Sequence, residues 1–293
     1  MIVKKICEVI PGYLQSASAI EVFADNLYIA GDNLSWLYLY KKNFSFLYRI
    51  RLDESQSTDV LPKKSKPDWE AMSILLQPGY DPMLLVIGSG SKSPERDKAM
   101  LVNLYSNEVA PVAHWPQFYQ LLRDSIDSSV ELNIEGLAQV KDKLVILNRG
   151  NVNGGNFIAI ITTAAPWQQP YTVHIIQSSP ADINGVKAGF TGAFYLEEED
   201  ILVYTAAAEL TNNAYDDGKV VGSAIGYFTN ISQRLADTEL IPTEQLTFDE
   251  ESGVRGKVES LALLRKMGNK YEFYVVTDND DEMGSLYQLS LQF

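Results

Sequence analysis

The stretch Asn133-Ile134-Glu135-Gly136-Leu137-Ala138 decides the fold, because versions of it occur five times along the chain. In each version, a short turn that ends in a small or acidic residue leads into a strand-like run, and a second strand that ends in polar residues follows. The other four versions are Ala19-Ile20-Glu21-Val22, Asp68-Trp69-Glu70-Ala71-Met72, Gly189-Phe190-Thr191-Gly192-Ala193 and Lys257-Val258-Glu259-Ser260-Leu261-Ala262. We align a glutamate at the same position in four of the five versions. This repetition predicts a five-bladed β-propeller.

The strand signals within each repeat predict the make-up of a blade. Each of the first four repeats contains about four short strand-like runs, which is the content of one blade, and Thr238–Pro242 is the expected outer strand of the fourth. The fifth repeat contains only three. Because an unpaired sheet edge promotes aggregation, we expect the N-terminal segment Ile2–Ile10 to supply the outer strand of the last blade. The prediction is an all-β fold in a single domain, residues 1–293, with one helix at Gln117–Ile126.

The composition argues against several classes of protein. The chain of 293 residues is 46% hydrophobic, which suffices for a large core. Its formal net charge of −14 disfavours a nucleic-acid partner, since such proteins neutralise phosphates with clustered Lys and Arg. Cys7 is the only cysteine, so the chain forms no intramolecular disulfide. Neither a signal-peptide pattern nor a membrane-length apolar run is present, and we expect a cytoplasmic monomer without membrane association.

Polar residues are predicted to converge at one mouth of the central channel. The first strand of a blade runs along the channel and the second returns, so the start of the first and the end of the second share a face. The candidate ligand-binding residues at this mouth are Glu21, Asp32, Glu70, Ser89, Glu135, Asn148, Arg149, Glu259 and Asp278. Converging carboxylates need a cation, and Ca²⁺ is a candidate because it prefers oxygen ligands. Its candidate ligands are Glu70, Glu135, Glu259 and Asp278.

The sequence leaves the function of this mouth open. One hypothesis is a binding site. It would hold either a metal ion, or a small ligand with basic residues in place of the metal to neutralise the carboxylates. Those basic residues would be Arg149 with Lys92, Arg96, Arg255 or Lys257. The other hypothesis is that each glutamate accepts backbone N–H bonds from the neighbouring blade and holds the ring together. The loops would then bind a protein or a glycan.

Two further features have both a structural and a functional interpretation. Trp69 either packs between blades or turns to the mouth as an apolar wall. The segment Gly88–Ser93 has the composition of a phosphate loop, but it does not precede a helix and is a weak nucleotide motif. The chain contains no known catalytic motif, so the sequence identifies no reaction.

The segment Asn133–Ala138, followed by the strand Leu144–Leu147 and then Asn148-Arg149-Gly150-Asn151, resembles uncharacterised bacterial propellers related to the phytase-like and SdiA-regulated groups. In that group, the Glu-Gly-Leu-Ala motif begins an inner strand, and phytases hold calcium ions in an acidic mouth to bind phosphates. The resemblance implies that Glu135 and its counterparts line such a mouth. It also implies an alternative function, a calcium-dependent hydrolase of phosphoesters or esters.

Overall fold

The computed structural model describes residues 1–9, 16–53, 58–150, 155–162, 171–210, 218–249, 252–278 and 284–293. In these residues, 20 strands form five separate four-stranded sheets. The sheets are antiparallel and are arranged as a five-bladed β-propeller. The predicted all-β fold and the predicted number of blades are confirmed.

The first three blades each follow one sequence repeat, and their strands are given from the channel outwards. Blade 1 consists of β2 (Ala17–Phe23), β3 (Asn26–Gly31), β4 (Trp36–Lys41) and β5 (Phe46–Arg51). Blade 2 consists of β6 (Trp69–Leu75), β7 (Met83–Gly88), β8 (Ala99–Asn103) and β9 (Val109–Pro111). Blade 3 consists of β10 (Ile134–Val140), β11 (Lys143–Asn148), β12 (Phe157–Ile161) and β13 (Val173–Gln177).

The last two blades complete the ring. Blade 4 consists of β14 (Gly189–Leu196), β15 (Ile201–Leu210), β16 (Lys219–Thr229) and β17 (Glu244–Thr247). Blade 5 consists of β18 (Lys257–Met267), β19 (Lys270–Asp278), β20 (Leu286–Gln292) and β1 (Ile2–Val9). The strand order β1-β20-β19-β18 confirms that the N-terminal segment is the outer strand of the last blade. Ile10, the last residue of the predicted strand, lies outside the described residues.

The core lies between the blades. The second strand of each blade is packed on both faces by neighbouring blades, so it is apolar throughout rather than alternating. Leu144–Leu147 in β11, for example, is 0% exposed along its whole length. Trp69 is 0% exposed and packs between blades 1 and 2. Its structural interpretation is therefore the correct one, and it forms no wall of the mouth.

One helix decorates the ring, close to its predicted position. Helix α1 spans Trp115–Ser125, with Pro at its start, and connects blade 2 to blade 3. Trp115, Phe118, Tyr119 and Leu122 are buried against those blades. Neither this helix nor the short 3₁₀ turn Ile231–Gln233 has the length and apolar character needed to cross a membrane, and the described residues contain no other helix.

The predicted outer strand of blade 4 was wrong in position. Thr238–Pro242 does not pair with β16. The outer strand β17 begins at Glu244, two residues after Pro242. The predicted segment instead bonds to blade 3: the Gln177 N–H donates to the Thr238 carbonyl, and the Leu240 N–H donates to the Gln177 carbonyl, both at 2.9 Å. It therefore joins two blades rather than extending one.

Every inner strand carries a β-bulge at its second or third residue, where the register with the second strand shifts by one residue. The bulged residues are Ser18, Glu70, Glu135, Thr191 and Glu259. Our alignment of Glu21 with the other glutamates was therefore wrong, since Ser18 holds the equivalent position in blade 1. Three of the five bulges carry a glutamate, and the other two carry a hydroxyl.

Glu21 has a different role, since it joins two blades. Its carboxylate accepts hydrogen bonds from the backbone N–H groups of Val22, at 3.3 Å, and of Ile74 in the inner strand of blade 2. The side chain is 5% exposed, and this burial raises the pKa of Glu21 to about 8 against the two hydrogen bonds, which lower it. Glu21 is therefore the one candidate that bonds the backbone of the next blade in the way the structural hypothesis requires.

Removing residues 1–9 is expected to destabilise the protein by at least about 3 kcal/mol, or about 10 °C in Tm, because β20 loses its partner strand and the ring gains an open edge. Thermal unfolding followed by circular dichroism measures this. Ile6→Thr is the control, since Ile6 is 46% exposed in the same strand and its replacement should change stability by less than about 0.5 kcal/mol. Equal stability of the truncated and intact proteins would contradict the assigned closure.

Glu21→Gln is expected to flatten the dependence of stability on pH. Between about pH 5 and pH 8, the unfolded carboxyl group is ionised whereas the folded one keeps its proton, so wild-type stability falls as the pH rises. An amide does not titrate, so the variant should lose a slope of up to about 1.4 kcal/mol per pH unit in this window. Urea unfolding at a series of pH values measures the slope. Glu197→Gln, at an exposed glutamate, should leave the slope unchanged.

Candidate functional site

A large cavity opens at the channel mouth where the inner strands begin. Its volume is about 1510 Å³, and all five blades contribute to its lining. Six of the predicted ligand-binding residues line it: Asp32, Glu70, Glu135, Arg149, Glu259 and Asp278. Three others, Glu21, Ser89 and Asn148, do not.

Ser89 and Asn148 support residues of the site from beneath. Ser89 is 0% exposed, and its hydroxyl donates a hydrogen bond of 2.5 Å to the Asp68 carboxylate. Asn148 is also 0% exposed; its side-chain carbonyl accepts the Asn133 N–H at 2.7 Å, and its amide donates to the Gly155 carbonyl at 2.9 Å. Both side chains use their polar atoms to hold the turns at the mouth, which is why the strand-end pattern alone misplaced them in the lining.

Four charged residues from blades 1 and 2 form the first part of the site, which we name the Asp68 cluster: Asp32, Lys66, Asp68 and Arg96. The Lys66 ammonium bonds the carboxylates of both Asp32 and Asp68, the latter at 2.8 Å. The Arg96 guanidinium lies 2.6 Å from the other oxygen of Asp68. Burial opposes the charge on Lys66, but the carboxylates of Asp68 and Asp32 outweigh it and raise the pKa of Lys66.

Five charged residues from blades 3, 4 and 5 form the second part, which we name the salt-bridge chain. It alternates in sign through Glu135, Arg149, Glu209, Lys257 and Glu259. Arg149 lies 3.5 Å from Glu135 and 3.0 Å from Glu209. Lys257 lies 3.4 Å from Glu209 and 3.0 Å from Glu259. Each basic group therefore serves two carboxylates, which lowers the cost of burying all five charges.

The glutamates at the bulges hold protons more tightly than free carboxyl groups. Burial raises the pKa of Glu259 to about 8, against the lowering effect of Lys257. Burial also raises the pKa of Glu135, against Arg149. The pKa of Glu70 is raised well above its ordinary value by burial and by the nearby carboxylates of Asp68 and Glu135. These three carboxyl groups therefore keep their protons to a higher pH than free glutamates do.

Several carboxylate oxygens at the mouth have no hydrogen-bond donor. The Oε2 atom of Glu259 and the Oδ1 atom of Asp32 are buried without one. Among the described residues, no Lys or Arg nitrogen lies within 4.0 Å of the Glu70 carboxylate. A buried acceptor without a donor costs about 1–3 kcal/mol, so such atoms mark places where a donor belongs.

The bulged glutamates do not bond neighbouring blades. In the described residues, the protein partners of Glu135 and Glu259 are side chains: Asn133 and Arg149 for the first, and Lys257 for the second. Ser18 bonds the Trp69 carbonyl of the next blade instead. The Ser18 hydroxyl and Glu21 therefore join blades, and three of the four predicted ring glutamates face the cavity without doing so.

The lining of the cavity is mixed in charge rather than acidic. It contains nine carboxylate side chains, from Asp32, Asp68, Glu70, Asp127, Glu131, Glu135, Glu209, Glu259 and Asp278. It also contains nine basic side chains, from Lys63, Lys64, Lys66, Lys92, Arg96, Arg123, Arg149, Lys187 and Lys257. The whole chain has 38 acidic and only 24 basic residues, so basic residues are concentrated at this mouth. The acidic mouth that the repeat positions predict, with Arg149 among its residues, is therefore accompanied by basic residues that mostly lie outside those positions.

Sequence reasoning missed three central residues. The sequence could have indicated Asp68, because this residue begins one version of the repeat. In the structure, its backbone has a φ of 60°. Lys66 lies two residues earlier in a connection with no repeat pattern. The apolar run Ile201–Thr205 predicts the second strand of blade 4 and leaves Glu209 in a loop, whereas β15 continues to Leu210. Asn279, which the strand-end pattern places beside Asp278 near the mouth, lies outside the described residues.

The family of the chain follows from its sequence. Residues 13–292 match the sequence profile of a family of unknown function, DUF6929. The chain belongs to this family. No curated protein matches the DUF6929 chain significantly.

Several solved structures are similar to this DUF6929 protein. An α-L-arabinanase from Cellvibrio cellulosa is 12% identical, with a TM-score of 0.47, and the match covers 96% of this chain and 92% of the other. The propeller domain of Cps50 (Swd1) from Myceliophteria thermophila is 7% identical, with a TM-score of 0.40 and coverages of 99% and 100%. A DUF4221 member from Bacteroides vulgatus is 10% identical, with a TM-score of 0.39 and coverages of 92% and 76%. These similarities concern the fold alone.

The finer expectations for this DUF6929 protein stay predictions. They are its likeness to phytase-like and SdiA-regulated propellers, its bacterial source, its cytoplasmic location and its monomeric state. The family match and the solved structures bear on none of them beyond the propeller fold.

Glu209→Gln is expected to destabilise the protein by about 2 kcal/mol. The substitution removes the carboxylate that Arg149 and Lys257 share, and it leaves these two cations facing each other. Urea unfolding at pH 7 measures the change. Glu197→Gln removes an exposed ion pair with Lys141 and should cost less than about 0.5 kcal/mol. If both variants were equally stable, the salt-bridge chain would contribute nothing to folding.

Proposed function

We propose that this protein binds a small polar organic ligand at the channel mouth, and that the ligand presents an amine or another strong hydrogen-bond donor to Glu259 and Glu70. The observation that carries this proposal is the Oε2 atom of Glu259, which is buried at the cavity wall without a donor. Glu259 is 4% exposed, so bulk water satisfies it poorly. A ligand ammonium would supply the missing donor, and its positive charge would favour the ionised form of the Glu259 carboxyl group over the protonated form.

The charge distribution favours an organic ligand over a metal ion. The carboxylate oxygens of Asp32, Asp68 and Glu70 lie within 4.8 Å of one another, as metal ligands would. However, the Lys66 ammonium already bonds two of the three, and a divalent cation would have to displace it against mutual repulsion. Glu135 and Glu259, two of the expected calcium ligands, likewise pair with Arg149 and Lys257. This reduces the support for a calcium-dependent hydrolase.

The lining also favours a charged ligand over a flat apolar one. In the described part of the chain, no aromatic side chain lines the cavity, so a ligand has no ring on which to stack. Charged groups dominate the wall instead, with nine residues of each sign. Recognition would therefore rest on charge-assisted hydrogen bonds, which also set the orientation of the ligand.

The first experiment is thermal unfolding of the protein with n-propylamine or ethanolamine at millimolar concentration, at pH 7. A ligand that binds only the folded state raises Tm by mass action, and we expect both amines to do so. Glu259→Gln and Glu70→Gln should each remove most of the shift, because they replace an ionisable acceptor with an amide.

Two controls make this experiment decisive. Glu21→Gln changes an equally buried glutamate outside the cavity, so it should keep the amine-dependent shift. The protein is also chelated exhaustively and then given calcium, magnesium or manganese singly. A metal-dependent shift that Glu70→Gln removes, with no response to amines, would replace our proposal by the metal-site alternative.

A further inference from the structure

The outer edge of the same cavity carries a group of basic residues that the proposed amine site does not use. They come from two connections, residues 61–66 before β6 and residues 88–98 between β7 and β8. We define the basic corner as Lys64, Ser91, Lys92 and Arg96, all of which line the cavity. Lys64 and Lys92 are exposed, whereas Arg96 is half-buried beneath them.

Contacts between the two connections hold the basic corner together. The Lys92 ammonium donates a hydrogen bond of 3.1 Å to the Lys64 backbone carbonyl, which joins the two connections at the edge. The Arg96 guanidinium donates to the Ser91 hydroxyl at 2.6 Å and also contacts Asp68 at 2.6 Å. The edge of the mouth is thereby anchored to the Asp68 cluster inside it.

The backbone of the second connection is also ordered by its own hydrogen bonds. The Gly90 N–H donates to the Arg96 carbonyl at 3.1 Å, and the Arg96 N–H donates to the Lys92 carbonyl at 2.8 Å. Gly90 has a φ of 69°, and a Cβ there would lie 2.6 Å from the ring of Tyr119. Glycine is therefore required for this turn, and a preorganised turn presents Ser91 and Lys92 at little entropic cost.

The local charge differs from that of the protein. Lys64, Lys66, Lys92 and Arg96 lie near the four carboxyl groups of Asp32, Asp68, Glu70 and Glu95, so basic and acidic groups are equal in number in this part of the mouth. The chain as a whole carries −14. Lys92 pairs with Glu95 at a loose 3.4 Å, and both side chains are more than one-third exposed, so an incoming anion can compete for the lysine.

We infer that the ligand is zwitterionic: its amine binds at Glu259 and Glu70 inside the mouth, and an anionic group, a carboxylate or a phosphate, binds at the basic corner. This inference rests on the proposed amine site and adds the second half of the ligand. Lys64 and Lys92 supply charge, Arg96 and the Ser91 hydroxyl supply directed donors, and the layered charges fix the direction in which the ligand enters.

The test compares matched series of small molecules by calorimetry. The probes are ω-amino carboxylates from β-alanine to 6-aminohexanoate, aminoalkyl phosphates of the same lengths, and n-alkylamines of the same lengths. At one chain length, we expect a zwitterion to bind at least about tenfold more tightly than the alkylamine, since a charge-assisted pair contributes about 1.5–3 kcal/mol. Whether the carboxylate or the phosphate series binds more tightly then identifies the anionic group.

Variants separate this inference from the proposed amine site. The double variant Lys64→Ala/Lys92→Ala should abolish the advantage of the zwitterion and leave alkylamine affinity unchanged. Lys270→Ala, at an exposed lysine outside the cavity, should change neither. If zwitterions bind no more tightly than alkylamines while Glu259→Gln weakens both, the basic corner is not a binding site, although the amine site stands. If neither series binds, both proposals are wrong.

Discussion

A blade of this propeller buries both faces of its sheet only when a neighbouring blade lies on each side, so the whole structure depends on closing the ring. The pairing of β1 with β20 provides that closure, because it completes blade 5 with a strand from the other end of the chain. Once the ring is closed, Leu144–Leu147 and the other second strands lie between two apolar faces. Closure also directs the starts of all five inner strands to one mouth.

Convergence at the mouth creates an electrostatic problem that the protein solves with its own side chains. Carboxylates brought together in a restricted space repel one another and resist ionisation. Arg149 and Lys257 each bridge two carboxylates, and Lys66 bridges two more. The neutralisation is incomplete, since acceptor oxygens of Glu259 and Asp32 stay without a donor. An unpaired buried acceptor does not stabilise the fold. These two oxygen atoms therefore point to ligand binding.

The two classes of buried glutamate show how a local geometry selects a role. Glu70, Glu135 and Glu259 sit on β-bulges, which turn the side chain out of the regular alternation and towards the cavity. Glu21 lies three residues after the bulge of its own strand, where the carboxylate meets the backbone of blade 2. Chemically identical residues therefore line the cavity in one place and join two blades in another.

Much of the fold was predictable because it rests on short-range patterns. Strand-length apolar runs, turn residues and their fivefold recurrence predicted the blades, and a missing strand in the last repeat predicted the closure by the N-terminal segment Ile2–Ile10. The helix after Pro116 followed from its spacing of apolar residues. Repeat positions also placed Glu70, Glu135 and Glu259 at the mouth, since every copy of a repeat meets the axis at the same height.

The residues that the pattern misplaced are those whose surroundings depend on other blades. Pairing with the second strand sets the position of each bulge. In blade 1 this pairing places Ser18, and not Glu21, at the bulge. Lys66 and Glu209 reach the mouth from a connection and from a strand extension, outside every repeat position. The amino-acid pattern thus established the blades, their number and the convergence of carboxylates, because strand periodicity is local. The charge partners came from the closed ring, because it alone brings residues such as Arg149 and Glu209, 60 positions apart, within 3.0 Å.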